Sequence, residues 1–469
     1  MRKWIWQGHR WLFFAALIYA PWAYGCTTPA TMVVLNWMLG GVVVWWGVVE
    51  LCKILFHRDV LAARNHRAEQ AGDYRPRDRR ELILCSIISA LLVIGWWMVW
   101  NAGWIYDPEY AVFLPINRPF SHAAGSLDVA ISTVWMLRAT LLLLVVLFVA
   151  DLTRKREWLL RLWWAVGLAG GSIALLGLLQ KASGAEMIFW QPAPAGGVST
   201  FFASYYYHAN AGAFLNLTLP PVAGLALRTW TRPAHPAARA LWLCLLVIMV
   251  VAVFSNTSRA AELIALVLIA VLALGSINVI RHMIRHLEPK HAITGVLLVG
   301  VTLWAVARVS HLDQPLQRWQ VFSQQFPVDG RWLSAQAAVG ALPRAGMLGS
   351  GPGTFRVAFR FYTGDLSDQL PGVWRFLHQD YLQTLLEWGW LGGACWAALF
   401  FGGIWSGLQA LRRRTDLAPR YRSLLMLSLL ALTGVALHAL VDFPLQIASL
   451  QLYVATYLGI CWGGRKAAA

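Results

Sequence analysis

Uninterrupted apolar runs of about 18 or more residues recur along the whole of this chain, and each is long enough to cross a hydrocarbon core of roughly 30 Å. The stretch M-V-V-L-N-W-M-L-G-G-V-V-V-W-W-G-V-V at 32–49 is representative. Inside a bilayer every backbone N–H and C=O must be paired within the protein, so runs of this length predict helices. The sequence therefore predicts an all-α polytopic membrane protein of about twelve transmembrane helices. The expected spans are 11–25, 30–55, 82–101, 128–150, 162–180, 209–227, 240–254, 260–279, 292–308, 378–408, 423–440 and 444–462. Composition agrees: 58% of residues are hydrophobic and 13% charged, against roughly 25% charged in a soluble protein. Many of the 27 Trp fall near span ends, as interfacial aromatic belts do.

The opening M-R-K-W-I-W-Q-G-H-R followed by an apolar run has the outline of a signal peptide, and A-Y-G-C at 23–26 faintly resembles a lipoprotein cleavage box. Bulky Tyr24 and the Pro21-Trp22 interruption favour a retained first helix instead. Six scattered cysteines, of which only Cys26 falls clearly in an outward loop, suggest neither a disulfide framework nor a metal site.

The segments between spans alternate sharply in charge. Of 39 Lys and Arg, 28 fall on one side, in the N-terminal segment and the segments around 53–80, 154–161, 228–239, 281–290, 412–422 and 465–466. The positive-inside rule assigns that side to the cytoplasm. Both termini are then cytoplasmic, and loops 102–127, 181–208 and 309–377 face outward. The net charge of +17 is thus a topology signal and gives no reason to expect nucleic acid. The expected organisation is a single membrane domain over 1–469, with a large outward loop at 309–377 carrying short amphipathic helices and a basic cytoplasmic loop at 57–81. That basic loop would serve either to hold anionic headgroups or, the simpler reading, as a solvated helix that fixes topology. No internal repeat of the kind found in many transporters is visible.

The inventory for chemistry is narrow. There is no G-x-x-x-x-G-K-[ST], no H-E-x-x-H, no Cys/His cluster and no Asp-rich motif for a divalent metal, so neither cofactor nor metal is expected. The outward face offers arginine and histidine, which suits phosphate or diphosphate held by guanidinium groups, with one general base. Arg259 follows S-N-T-S at a tight outward turn and a helix N-terminus comes at once, an arrangement attractive to anions; the plain alternative is an arginine snorkelling to headgroups. Arg331 opens R-W-L-S-A-Q-A-A-V-G-A-L, with Trp332, Ala335, Val339 and Leu342 on one face, a helix expected to lie along the membrane surface. G-S-G-P-G at 349–353 would either cradle a phosphate or, more simply, form a tight turn.

His378 opens H-Q-D-Y-L-Q-T-L-L-E-W-G, where Asp380, Gln383 and Glu387 share a face. The positive end of a helix dipole favours the neutral imidazole that a general base needs; a capping or interfacial histidine is the alternative. His438 and Asp442 stand at i, i+4, which would put both on one helix face, as an orienting pair or as a structural contact. Arg138 lies mid-span, where charge is a functional hint by default.

Taken in order, T-S-R at 257–259, G-R-W at 330–332, L-P-R-A-G-M-L-G-S-G-P-G-T-F at 342–355, which contains Arg344, and H-Q-D-Y-L-Q-T-L-L-E-W-G at 378–389 resemble the O-antigen ligase and polymerase superfamily. H-A-N-A-G-A-F-L-N-L-T-L-P at 208–220, with His208 and Asn210, and H-A-L-V-D-F-P-L at 438–445 are similar to its motifs too. The resemblance runs from about 200 to 450. It implies a GT-C-type glycosyltransferase of the bacterial inner membrane, metal-independent and inverting, with a periplasmic active site. The donor it implies is a glycan on undecaprenyl diphosphate, and the acceptor lipid A–core for a ligase or a second lipid-linked glycan for a polymerase. Arg259 and Arg331 would bind the donor diphosphate and His378 would activate the acceptor hydroxyl; His208, Asn210, Arg344, Asp380, His438 and Asp442 are candidate supporting residues. Gln379 departs from the family, which often shows His-Asn there. The rival readings are a flippase for lipid-linked glycans and a non-catalytic scaffold. A transporter would place ionisable residues near the midplane of several spans, whereas here they gather at the outward rim.

Overall fold

The computed structural model describes residues 2–56, 79–192, 200–285, 329–413 and 419–463, together with 297, 300, 301, 304 and 417. Most of the expected span 292–308, residues 57–78 of the basic loop and 309–328 of the long loop lie outside the described residues.

The chain forms helices α1 (Arg2–Trp22), α2 (Pro29–Phe56), α3 (Arg79–Trp100), α4 (Val129–Leu152), α5 (Arg156–Ala182), α6 (His208–Thr231), α7 (Pro236–Ser255), α8 (Arg259–Arg285), α9 (Gly330–Ala345), α10 (Asp380–Arg413), α11 (Pro419–His438) and α12 (Ala448–Gly463). Eight of these, α2 to α5, α7, α8, α10 and α11, are long and apolar enough to cross a membrane. The protein is a mostly helical, multi-pass membrane protein. One element departs from the all-α expectation: strands β1 (Trp104–Asp107) and β2 (Val112–Pro115) form an antiparallel hairpin in the loop before α4. Its backbone lies outside the apolar runs and is satisfied by cross-strand pairing rather than helically.

Helices α6 and α12 occupy the middle of the bundle. Helix α6 packs against α5, α7, α8 and α11, and α12 against α4, α10 and α11, so most side chains along both are buried. Central position explains why α6 tolerates Asn210, Asn216, Thr218 and the pair Pro220-Pro221: it meets protein, where polar groups find partners, rather than lipid. A proline inside a helix frees the carbonyl four residues earlier. Tyr457 of α12 donates its hydroxyl to the Leu217 carbonyl at 2.7 Å, the one freed by Pro221, and Trp163 of α5 donates to the Pro221 carbonyl at 2.6 Å.

Helix α10 does not run as one piece. At Gly389 the backbone turns to φ 63°, and the loop 346–351 fills the break. Ser350 and Gly351 N–H donate to the Leu386 and Glu387 carbonyls, while Trp390 and Leu391 N–H donate to those of Gly346 and Met347. Gly389 and Gly349 both take positive φ, and a Cβ at either would lie 2.4 Å from the other strand's backbone, so neither position admits a side chain. Helix α9 packs its Leu333, Ala337, Ala338 and Ala341 face on this assembly, beside Phe355, Phe359, Leu377 and Leu386. Trp332 and Val339, the apolar face expected to lie on a membrane, point outward and are exposed.

Candidate active site

The site is built where three separate segments meet: the tyrosine run that ends at the start of α6, the segment leading into α10, and the turn after α11. Asp442 lies in that turn, whose Val441 and Asp442 N–H groups both donate to the His438 carbonyl. The Asp442 carboxylate accepts from His378 Nδ1 at 3.0 Å, from the Tyr207 hydroxyl at 3.2 Å and from Phe443 N–H at 3.0 Å. Tyr207 in turn accepts from an Arg331 amino group at 2.7 Å. A hydrogen-bonded chain therefore runs from Arg331 through Tyr207 to Asp442, and His378 joins it at the carboxylate.

The pairing assigns the tautomer. A carboxylate only accepts, so His378 carries its hydrogen on Nδ1, and Nε2 of the neutral ring keeps a lone pair. Rings hold the imidazole in place: Phe443 at 4.9 Å, Trp374 at 6.0 Å and Tyr207 at 6.2 Å, all edge to face. Phe443 itself stacks on Tyr207 and Phe376. Burial pushes the Asp442 carboxyl upward, but the hydrogen bond from His378 and the proximity of His378, His438 and the Arg331 guanidinium outweigh it, and the group is held below the usual carboxylate range. Burial and the neighbouring Asp442 push the Tyr207 phenol up, so it stays protonated and donates.

Two further carboxylates are spent on architecture. Asp380, fully buried, accepts from Leu445 N–H and Gln446 Nε2, both at 2.8 Å. It latches the His378 segment to the Asp442 turn. Glu387 accepts from Gly353 and Phe355 N–H and from Gln383 Nε2. The glycine-rich turn at 349–353 thus presents its N–H groups to a carboxylate of its own chain and to helix carbonyls, which makes it a structural turn. Gln379, the departure noted in the sequence, accepts from Leu382 N–H and caps α10.

Beside His378 opens a cleft of about 1150 Å³, walled by the starts of α2 and α4, residues Tyr205–Tyr207, Asn210 and the Val373–Phe376 segment. Arg138, Arg356 and Arg375 line it, and no carboxylate does among the described residues. Such a space favours an anion.

The structure sorts the sequence candidates. His378, Asp442 and Arg331 come together, and Asn210 is buried in the cleft wall. Arg259 sits in the first turn of α8, beside the head of α6, where Asn256 Nδ2 donates to the His208 carbonyl and Asn216 Nδ2 to that of Ala261; it is not among the residues lining the cleft. His208 turns its Nδ1 to the Thr200 carbonyl at 3.1 Å. Arg344 is exposed in the last turn of α9. One expectation is corrected. Helix α11 ends at His438, so Asp442 leaves the helix face and pairs with His378, while both ring nitrogens of His438 are buried without a hydrogen-bond partner among the described residues. Sequence reasoning also missed Tyr207; its only signal was the run Y-Y-Y-H directly before the 208–220 motif.

Residues 244–397 match the family model described as O-antigen ligase. Over this domain, which is 154 of the 469 residues, the chain is similar to O-antigen ligases. The match takes in Arg259, Arg331, Arg344, His378 and Asp380, and leaves Tyr207, His438 and Asp442 outside it. No curated protein matches the chain. That similarity points to glycan transfer of the ligase or polymerase type.

Proposed function

We propose that the protein transfers a glycan from an undecaprenyl-diphosphate donor to a hydroxyl of an acceptor, with inversion and without a metal, at the periplasmic face of the bacterial inner membrane. In this reading both termini are cytoplasmic, as the basic segments suggest. The observation that carries it is the His378–Asp442 pair opening on an arginine-lined cleft free of carboxylates among the described residues. His378 Nε2 takes the proton of the acceptor hydroxyl as its oxygen attacks the anomeric carbon, and Asp442 stabilises the imidazolium that forms. The bond from that carbon to the diphosphate oxygen breaks on the opposite face, and undecaprenyl diphosphate leaves. Arg331, held by Tyr207 behind the cleft wall, neutralises the leaving diphosphate together with Arg356 and Arg375 of the lining, and Arg259, outside that lining, adds positive charge from the head of α8, so charge stabilisation and positioning supply the catalysis.

We take the acceptor to be lipid A–core, following the family's description as a ligase. The test is product analysis with purified protein and an undecaprenyl-diphosphate oligosaccharide, with and without lipid A–core, in chelator. Glycan on lipid A–core that disappears in His378→Ala supports the ligase. A ladder of longer lipid-linked chains without lipid A–core would make it a polymerase, and no transfer by folded protein would refute the reading.

A further inference from the structure

Arg138 is used by nothing in the chemistry above, yet it is the most unusual charge in the molecule. It lies on α4 nine residues beyond Val129, about 14 Å along the helix axis, with 6% exposure. Its guanidinium covers the Trp135 ring at 4.0 Å, and Nη1 has only the Met32 thioether, at 3.2 Å, for a polar contact. Nη2 is buried without a partner. Among the described residues no carboxylate comes within ion-pair distance of it; Glu387 is committed to Gly353, Phe355 and Gln383. A buried arginine in a membrane protein is costly and needs an acceptor for its donors.

Two cavities meet at this side chain. One is the cleft it shares with His378; the other is a chamber of about 310 Å³ between α4, α10 and α12, walled mainly by apolar side chains such as Leu142, Leu385 and Phe400, with Glu387, Thr384 and Gln451 among the polar ones. Asn36 on α2, whose Oδ1 is buried and also unpartnered, lines the cleft too. A cationic fork standing between a polar space and an apolar one fits an amphiphile with a phosphate at the junction of head and tail. Arg331 is not in the cleft lining, but it donates to Tyr207, which is.

We infer that Arg138 is a second phosphate subsite: it holds the phosphate or diphosphate of a lipid-linked substrate, whose hydrocarbon chain enters the apolar chamber. For the identity of that amphiphile the inference rests on the glycosyltransferase reading, in which donor and acceptor are both phosphorylated lipids and need separate anion positions.

The test counts bound lipid without turnover. His378→Ala protein in zwitterionic nanodiscs is titrated with polyprenyl diphosphate, polyprenol, inorganic diphosphate or phosphatidylglycerol, and bound equivalents are read by native mass spectrometry. Two equivalents of polyprenyl diphosphate are expected. Adding R138Q should weaken one of them by about tenfold or more, the loss of a charge-assisted hydrogen bond, while R331Q weakens the other. Polyprenol should show no dependence on residue 138. R138M, an apolar chain of similar reach with no buried donor, should behave as R138Q does and decides the matter if the glutamine variant does not fold. Undiminished binding of both equivalents in the folded variant would overturn the inference and leave the proposed function standing. Inorganic diphosphate bound at Arg138 as tightly as the lipid would overturn the amphiphile assignment. Phosphatidylglycerol held there with no polyprenyl diphosphate bound anywhere would support the subsite and refute the function.

Discussion

Asp442→Asn tests the chemistry most directly. The carboxylate accepts three hydrogen bonds, from His378 Nδ1, the Tyr207 hydroxyl and Phe443 N–H. An amide of the same shape keeps one oxygen and presents an NH2 to the remaining donors. If that NH2 faces His378, the ring must place its hydrogen on Nε2, and the lone pair the acceptor needs is gone. Losing a charge-assisted hydrogen bond to the imidazolium costs about 1.5–3 kcal/mol, roughly a 10- to 150-fold fall in kcat. The tautomer change adds to this, and in a serine-protease triad the same substitution costs about 10⁴. The assay is single-turnover transfer at saturating lipid-linked donor, in nanodiscs. A fall in kcat of at least tenfold with little change in KM for the donor is expected, since Asp442 touches the base and not the diphosphate. The pH dependence of stability has a definite sign. Because the Asp442 carboxyl is held low in the folded protein, its contribution is complete above the ordinary carboxylate value and is lost only as pH falls through the depressed one. The melting temperature of wild type should therefore converge on that of D442N only in acid, below the ordinary carboxylate range. A folded D442N enzyme within threefold of wild-type kcat would refute the assignment of His378 as the base.

Tyr207→Phe removes both the bond from Arg331 and the bond to Asp442; two bonds of about 1 kcal/mol each should raise KM for the donor roughly thirtyfold, and an unchanged KM would detach Arg331 from the diphosphate. Gly389→Ala puts a Cβ 2.4 Å from the Met347 backbone at φ 63°; a loss of roughly 2–4 kcal/mol should appear as a much lower melting temperature. Tyr457→Phe orphans the Leu217 carbonyl freed by Pro221, costing about 1–3 kcal/mol of stability, while kcat per folded molecule stays at the wild-type value.

Much of the scaffold was legible in the residues. Apolar runs locate α2 to α5, α7, α8, α10 and α11 because a lipid-facing helix has to be apolar along its length, and that demand is local. Residues 209–227 and 444–462 were expected as spans, and helices α6 and α12 form there, but their central burial, and with it the licence for asparagine and proline, comes from the packing. The hairpin Trp104–Pro115 left no apolar periodicity to read. The Gly389 break was hidden because helix and break share one hydrophobic run, and only the backbone of 346–351 makes the break tolerable.

For the site, the sequence by itself determined the residue types: arginines and a histidine in polar stretches between spans, where guanidinium and imidazole remain usable. Sequence spacing suggested His438 as the partner of Asp442, since i, i+4 neighbours meet on a helix. The tertiary structure decided otherwise, because α11 stops at His438 and the turn beyond it carries the carboxylate to His378, 64 residues away in the chain. Tyr207, which no motif singled out, connects that pair to Arg331 across a separation of 124 residues. Local pattern fixes what a helix must be made of. Which distant groups share a proton or a charge depends on where helices end and how they pack, and neither distance is written in the spacing.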